Sequence, residues 1–319
     1  MIKRMLLVVG VLLMGHSVAH ALSCSDNPDQ VGIRYLGVAA LDIHYKNQRV
    51  LTDPFYTPIS MWDIATLSKY KSDANAIDEA IGPFQQNVNA VLIGHGHYDH
   101  LADLPAIKNY LTPDSLVVGS ETSINMVAPS FDIDQLLPIT NNNTDVWFYI
   151  ADGWIRIKAE ASEHAPQIWN INLFPGNQTA AQATLPQYIW NWKQGLNLTF
   201  LIDFLESPHS ENVFKRMYFQ SSASSYPIGH QPIQDDIPVD AAWLAGASFD
   251  HVDDYPDGIL KNYQPKHTLF IHWENFFKPW LKDPTPLMLI NIDKLMKVAT
   301  DSHDGLIEMA QPNECIRLQ

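Results

Sequence analysis

Ala90-Val91-Leu92-Ile93-Gly94-His95-Gly96-His97-Tyr98-Asp99-His100 is the stretch on which the reading of this chain turns. Its first four residues form a short continuous apolar run, as expected of a strand buried on both faces. The run passes without a break into four potential metal ligands within six residues: His95, His97, Asp99 and His100. His95 and His97 are two positions apart, so an extended or turning backbone can aim both imidazoles at one point. Asp99 and His100 can then serve a neighbouring point. Neutral imidazole nitrogen and carboxylate oxygen are donors that zinc accepts. A loop leaving a buried strand is also where a rigid scaffold presents functional groups. The competing reading is a polar turn that happens to be rich in histidine. His164, after Glu160-Ala161-Ser162-Glu163, and His272, after Thr268-Leu269-Phe270-Ile271, weigh against it. Either alone would read as structural; beside the cluster, each reads as a ligand.

Outward from this motif the chain alternates as strands do. Ile33 and Tyr35, then Leu41, Ile43 and Tyr45, are apolar at period two. Lys46-Asn47-Gln48 is a polar turn, and Val50-Leu51 resumes a strand that ends in Thr52-Asp53-Pro54. Met61 to Ile81 is helical or irregular, and a helix is expected from about Leu104 to Tyr110. Leu116 to Gly119 is a further buried strand. Val146 to Ile150 and Trp154 to Ala159 form a hairpin across Asp152-Gly153, and the second strand leads to His164. Asn197 to Phe204, Arg216 to Gln220, Ala241 to Ala245 and Thr268 to Ile271 complete the strand pattern. Between them, residues 166–195 carry Trp169, Trp190 and Trp192 among Asn, Gln and Pro, and read as an inserted loop or lid. The order suggests two sheets packed face to face with helices outside.

These pieces resemble the metallo-β-lactamase superfamily, and within it the branch that includes sugar-lactone lactonases and N-acyl-phosphatidylethanolamine phospholipase D. The matching residues are Leu51-Thr52-Asp53-Pro54, His95 to His100, His164, and Pro265-Lys266-His267 through His272-Trp273, in the same order along the chain. The resemblance implies a four-layer αββα sandwich with metals at one sheet edge. It implies that His95, His97 and His164 hold one metal, and that Asp99, His100 and His272 hold a second. It also implies that Asp53 acts from behind, orienting a ligand imidazole, as metal-bound histidines usually require. One position departs from the pattern. The family places a metal-bridging aspartate after the strand that here reads Met217-Tyr218-Phe219-Gln220, and this chain has Ser221. A neutral hydroxyl is a far weaker zinc ligand than a carboxylate, so the second site is expected to be weak. Glu163 and Asp250 are candidates to substitute. Three histidines and a water still make a complete catalytic zinc site.

The expected chemistry is hydrolysis by a zinc-activated water, with one or two ions, on an ester, lactone, amide or phosphodiester. The resemblance gives Asp99 the orienting or proton-accepting role. It places His251, in Ser248-Phe249-Asp250-His251, in a loop facing the substrate, as a contact or proton donor. No Gly-x-Ser-x-Gly nucleophile elbow and no phosphate-cradling glycine-rich loop occurs. Two rivals stay open. One is a non-catalytic or degenerate metal- or ligand-binding protein of the same fold; the other is a true β-lactamase.

At the start of the chain, Lys3 and Arg4 precede the apolar run Met5 to Met14, and Ala19-His20-Ala21 offers small residues for cleavage. This reads as an export signal over residues 1–21, with the hydrolase domain over 22–319. The run is too short for a permanent membrane anchor. A periplasmic or secreted protein is expected; anchoring as a lipoprotein through Cys24 fits less well, because Ala21-Leu22-Ser23 matches such a signal poorly. Losing residues 1–21 removes Lys3 and Arg4 and no acid, shifting the formal charge from −15 to −17. That balance repels nucleic-acid phosphates and identifies no substrate by itself. The tryptophans of residues 166–195 favour an apolar or amphiphilic small-molecule substrate, and the other reading is a lid that packs on the core. The sequence does not set the oligomeric state. Cys24 and Cys315 are the only cysteines. An oxidising compartment permits them to pair, and the other reading is two free thiols.

Overall fold

The computed structural model describes Cys24 and residues 27–66, 68–82, 87–167, 171–288 and 290–318. The expected export segment and Trp169 lie outside the described residues. In chain order the strands are β1 (Gly32–Tyr35), β2 (Leu41–Tyr45), β3 (Gln48–Thr52), β4 (Val88–Leu92), β5 (Leu111–Ser120) and β6 (Leu136–Ile139). They continue with β7 (Trp147–Ile150), β8 (Ile155–Ser162), β9 (Asn197–Leu205), β10 (Val213–Gln220), β11 (Ala241–Ala245), β12 (His267–Ile271), β13 (Leu306–Met309) and β14 (Cys315–Arg317). Two mixed seven-stranded sheets result, in the orders β14-β1-β2-β3-β4-β5-β6 and β13-β12-β11-β10-β9-β8-β7. The first sheet is antiparallel from β14 to β3 and parallel from β3 to β6. The second repeats this succession, antiparallel from β7 to β10 and parallel from β10 to β13.

Period-two alternation sorts side chains between layers. Val50, Ala90 and Leu92 from the first sheet meet Ile157, Phe200, Met217, Phe219, Trp243 and Leu269 from the second in the central core. Their neighbours Leu51, Val91 and Ile93 point the other way, against α2 (Ala74–Ile81), α3 (Tyr98–Leu101) and α4 (Glu121–Val127). On the far face of the second sheet, Tyr218, Ala242, Leu244 and Phe270 pack on α5 (Asp257–Tyr263) and α6 (Ile292–Ser302). The layers are therefore helix, sheet, sheet, helix. Where a helix was expected at Leu104–Tyr110 the chain forms a 3-10 helix. The Asp103 carboxylate does not cap it; that group accepts from the backbone N–H of Tyr56 at 2.7 Å and of Thr57 at 2.9 Å, tying the motif to the loop after β3. Cys24 and Cys315 form a disulfide with Cα atoms 5.7 Å apart. No helix among the described residues is long and apolar enough to cross a membrane.

Candidate metal centre

Strand direction explains why the candidate ligands meet. Strands β3 and β4 run parallel, and β8 and β10, each antiparallel to β9, run the same way as β12. Asp53, the His95–His100 motif, His164, Ser221 and His272 follow the C-terminal ends of β3, β4, β8, β10 and β12 in that order. Two trios result, His95–His97–His164 and Asp99–His100–His272, and within each the ligand atoms lie within 4.8 Å of one another. The His95 ring is 4.8 Å from His97 and 4.6 Å from His164, while His97 is 4.8 Å from His164. The trios adjoin, with the His95 and His100 rings 3.9 Å apart.

The motif's backbone needs its glycines. Gly94 N–H donates to Asp53 Oδ1 at 2.6 Å, and a Cβ there would stand 2.1 Å from Ser221 Oγ. A Cβ on Gly96 would stand 2.2 Å from the Lys193 carbonyl oxygen. His97 then caps a short turn, α3, that carries Asp99 and His100 side by side.

Hydrogen bonds fix which nitrogens are free. His164 Nδ1 can only donate to the Ala165 carbonyl, 2.6 Å away, so its Nε2 keeps a lone pair; that atom is 3.1 Å from His95 Nε2. Asp53 Oδ2 lies 2.9 Å from His100 Nδ1, which keeps the proton of the neutral ring on Nδ1 and directs Nε2 to 3.6 Å from Asp99 Oδ2. His272 Nε2 is also 3.6 Å from Asp99 Oδ2. His95 Nδ1, His97 Nε2, His272 Nδ1 and Ser221 Oγ are buried with no hydrogen-bond partner in the protein. Buried polar atoms are nearly always paired. Two largely buried trios of imidazole and carboxylate donors, each with its ligand atoms within 4.8 Å of one another and with unsatisfied buried polar atoms among and beside them, are a donor set that fits a divalent metal.

Burial, before anything else, drives the pKa values of His95 and His164 far below the ordinary histidine value, and neighbouring imidazoles add to it. The same cause lowers His97 to about 4. All three are neutral at pH 7, the form that ligates. For His100 burial is overridden by the Asp99 and Asp53 carboxylates, and its value is raised. Asp99, though buried, is held well below the usual carboxylate range by His100 and His272.

These shifts set a pH response. Away from the centre, burial also lowers His230 to about 4. Unfolded, these four histidines protonate near their ordinary 6.5; folded, they do so only well below it. Between those limits the unfolded chain binds more protons, so stability is full above about pH 6.5 and is lost as pH falls. His100, shifted the other way, offsets only part of this. Metal-free protein is expected to lose stability between pH 7.5 and 4.5, on the order of 1–3 kcal/mol for each of His97 and His230, with His95 and His164 acting in the same direction. Denaturant midpoints across that range would check it, and a flat profile would contradict neutral buried imidazoles.

Two residues that the sequence did not single out hold His272. Its backbone has φ +54, a left-handed conformation that costs a residue with a Cβ. Tyr35 Oη accepts from His272 N–H at 2.9 Å and donates to Glu274 Oε2 at 2.6 Å. Glu274 is fully buried and also accepts from the Val38 N–H. Tyr35 looked only like a core position in an alternating strand, and no local pattern marks such a link.

The other named residues fall around the centre. His251 is exposed, its Nδ1 3.0 Å from the Pro166 carbonyl oxygen, and lines a cavity together with His164 and Glu163. Asp250 faces Lys294 at 3.6 Å. Neither Glu163 nor Asp250 belongs to a ligand trio. In the insertion, Trp192 is buried in the outer core of the first sheet, and Trp190 stacks on Tyr188. Among the described residues, the aromatic ring that the insertion brings to the centre is Phe174, 6.2 Å from His97.

No family model matches the sequence, and no curated protein does. Solved structures do match. Igni18, described as a novel metallo hydrolase from the archaeon Ignicoccus hospitalis, aligns with TM-score 0.55 at 13% identity over 91% of this chain and 99% of its own. The metallo-β-lactamase fold protein YhfI from Bacillus subtilis aligns with TM-score 0.53 at 12% identity, over 91% of this chain and all of its own, 100%. This chain has the metallo-β-lactamase fold. CmlA from Streptomyces venezuelae, a diiron β-hydroxylase, shares it with TM-score 0.54 at 14% identity, over 92% of this chain but 55% of CmlA. At these identities the likeness establishes the fold and says nothing of a branch within the superfamily.

Proposed function

We propose that this metallo-β-lactamase-fold protein is an exported metal-dependent hydrolase. The observation that carries the reading is the meeting of His95 and His97, both buried, with half-buried His164, all three neutral, beside Asp99, His100 and His272. His95, His97 and His164 would hold the principal divalent ion, with zinc the first choice for imidazole donors; the diiron description of CmlA makes iron the alternative. When bound, such an ion supplies a Lewis acid and water acidified toward a pKa of about 7. Asp99, held ionised, orients the attacking water and accepts its proton. Asp53 fixes the His100 ring through Nδ1. His251, whose Nδ1 is engaged by Pro166, has Nε2 left for the departing group.

Ser221 shapes the second site. Its hydroxyl lies against Gly94 and has no protein partner. A neutral oxygen cannot match a carboxylate against two dications. Elemental analysis and calorimetric titration are expected to find one tightly held metal per chain, with a second only at high free metal. Ser221→Asp is expected to tighten the second site by about tenfold or more, within the roughly 10–100-fold by which residues around a metal govern its affinity. The loaded protein is expected to cleave at least one class among ester, lactone, amide and phosphodiester reporters, and chelation to abolish the activity. Stoichiometric metal with every reporter inert would favour the binding-protein reading instead.

A further inference from the structure

The insertion is fastened to the ligand motif itself. Gly96, between His95 and His97, donates its N–H to the Gln194 carbonyl at 2.9 Å. Gln194 N–H donates to the Phe174 carbonyl at 3.1 Å and Gly195 N–H to the Gly176 carbonyl at 3.0 Å, so two stretches of the insertion are clamped together where they meet the motif. Just beyond, Leu198 N–H donates to the Gly94 carbonyl at 2.7 Å. The same segment is held to α4. Gln178 N–H donates to Thr122 Oγ1 at 3.1 Å, Asn125 Nδ2 to the Gln178 carbonyl at 2.9 Å, and Gln182 N–H to the Asn125 carbonyl at 2.9 Å. Lys193 N–H meets the sulfur of Met126, which is fully buried.

This segment also reaches the His97 ring. His164 takes its support from the next residue, Ala165, through Nδ1. His97 takes its support from across the chain: main-chain hydrogen bonding from Leu173 and Phe174 meets its ring, and the Phe174 ring stands edge-on at 6.2 Å. His97 Nε2 has no protein partner, so the carbonyls fall to Nδ1, and Nε2 is the nitrogen left for a metal. A ligand imidazole held in this way keeps one tautomer and one orientation. Loss of such support typically costs about 10–100-fold in metal affinity.

We propose that residues 173–195 position the principal metal site: their backbone holds the Gly96 peptide and the His97 ring, so the site takes a metal tightly only while this segment is docked. Linkage makes the effect reciprocal, and a bound metal holds the segment down by the same factor. The segment is then part of the frame of the metal centre, and opening it as a lid in each turnover would cost the site its grip on the ion. The proposal rests on the reading of His95, His97 and His164 as ligands and on nothing about the substrate.

Gly176→Ala tests it from a distance. Gly176 has φ +113, where a residue with a Cβ is strained, and a Cβ there would meet no atom within 4 Å. The change therefore strains the backbone of the clamp and adds no clash. Calorimetric zinc titration is expected to show the tightly held ion bound about tenfold more weakly than in the unaltered protein, with the melting temperature of the metal-free form unchanged. Hydrogen exchange reads the reverse direction in the unaltered protein, and carries the test alone if the variant fails to fold. Zinc should slow exchange at the Gly96, Gln194 and Gly195 amides by at least about tenfold, and leave unaffected the amides of β7, the edge strand of the second sheet. Unchanged zinc affinity in a folded variant, or exchange at those three amides that is indifferent to zinc, would overturn the proposal while leaving the metal site standing. An unaltered protein that binds no zinc would remove the metal site and the proposal with it.

Discussion

The double variant His95→Ala/His97→Ala is expected to lose its bound metal and, with it, hydrolysis. Two of the three imidazoles of the principal trio disappear, leaving His164 alone on that side. Removing even an outer partner of a metal ligand typically costs about 10–100-fold in affinity. Losing two ligands should therefore take binding below detection by elemental analysis after dialysis. The same change should not unfold the protein. In the metal-free state His95 is 0% exposed and His97 2% exposed, and each has a ring nitrogen without a partner. Alanine removes that desolvation cost while opening a small cavity, so the metal-free variant should melt within a few degrees of the metal-free parent. Sites built for function commonly carry such a local stability cost. Unchanged metal content would sink the assignment. A collapsed melting temperature in the metal-free comparison would show instead that these histidines are structural.

Opening the Cys24–Cys315 bridge should produce the largest loss of stability. The two residues are 291 positions apart in sequence, so the bond closes almost the whole described chain into one loop. The chain-entropy model gives about 6 kcal/mol for a loop of that size, and measured losses for native bridges run about 2–5 kcal/mol. The bridge also pins β14 to the edge of the first sheet, where Cys315 lies opposite Arg34. Just beyond, Asn313 N–H donates to the Tyr35 carbonyl and Tyr35 N–H to that of Glu314. Tyr35 is the residue whose hydroxyl holds the His272 backbone. Cys24→Ser/Cys315→Ser should therefore lower the denaturant midpoint and also weaken binding at the Asp99–His100–His272 trio. Thiol titration of the unfolded, unreduced parent should find no free thiol. Two free thiols, or a variant as stable as the parent, would contradict this.

Much of the fold was legible because its signals are local. A continuous apolar run marks β4 as buried on both faces, and alternation marks β1 and β2 and the β7–β8 hairpin. Edge strands were harder to read. β14 is three residues long and β13 four, and neither carries enough alternation to stand out. Their places beside β1 and β12 depend on pairing across long sequence distances.

By itself the sequence pointed to a metal site: His95, His97, Asp99 and His100 lie within six residues at a strand end, and no distant contact is needed to bring them near one another. It also named His164, His272, Asp53 and Ser221 through position and resemblance. Only the tertiary structure decided which of 13 histidines converge, because that depends on strand order and direction in two sheets. His230, equally buried, lies on the far face against Tyr263. Only packing decided that Trp192 belongs to the core rather than to a ligand-facing lid, since a tryptophan's burial is a property of its neighbours. The Glu274–Tyr35–His272 link is likewise invisible in the chain. It joins β1 of one sheet to the loop after β12 of the other, and such a contact follows from how the two sheets pack and from no local pattern of residues.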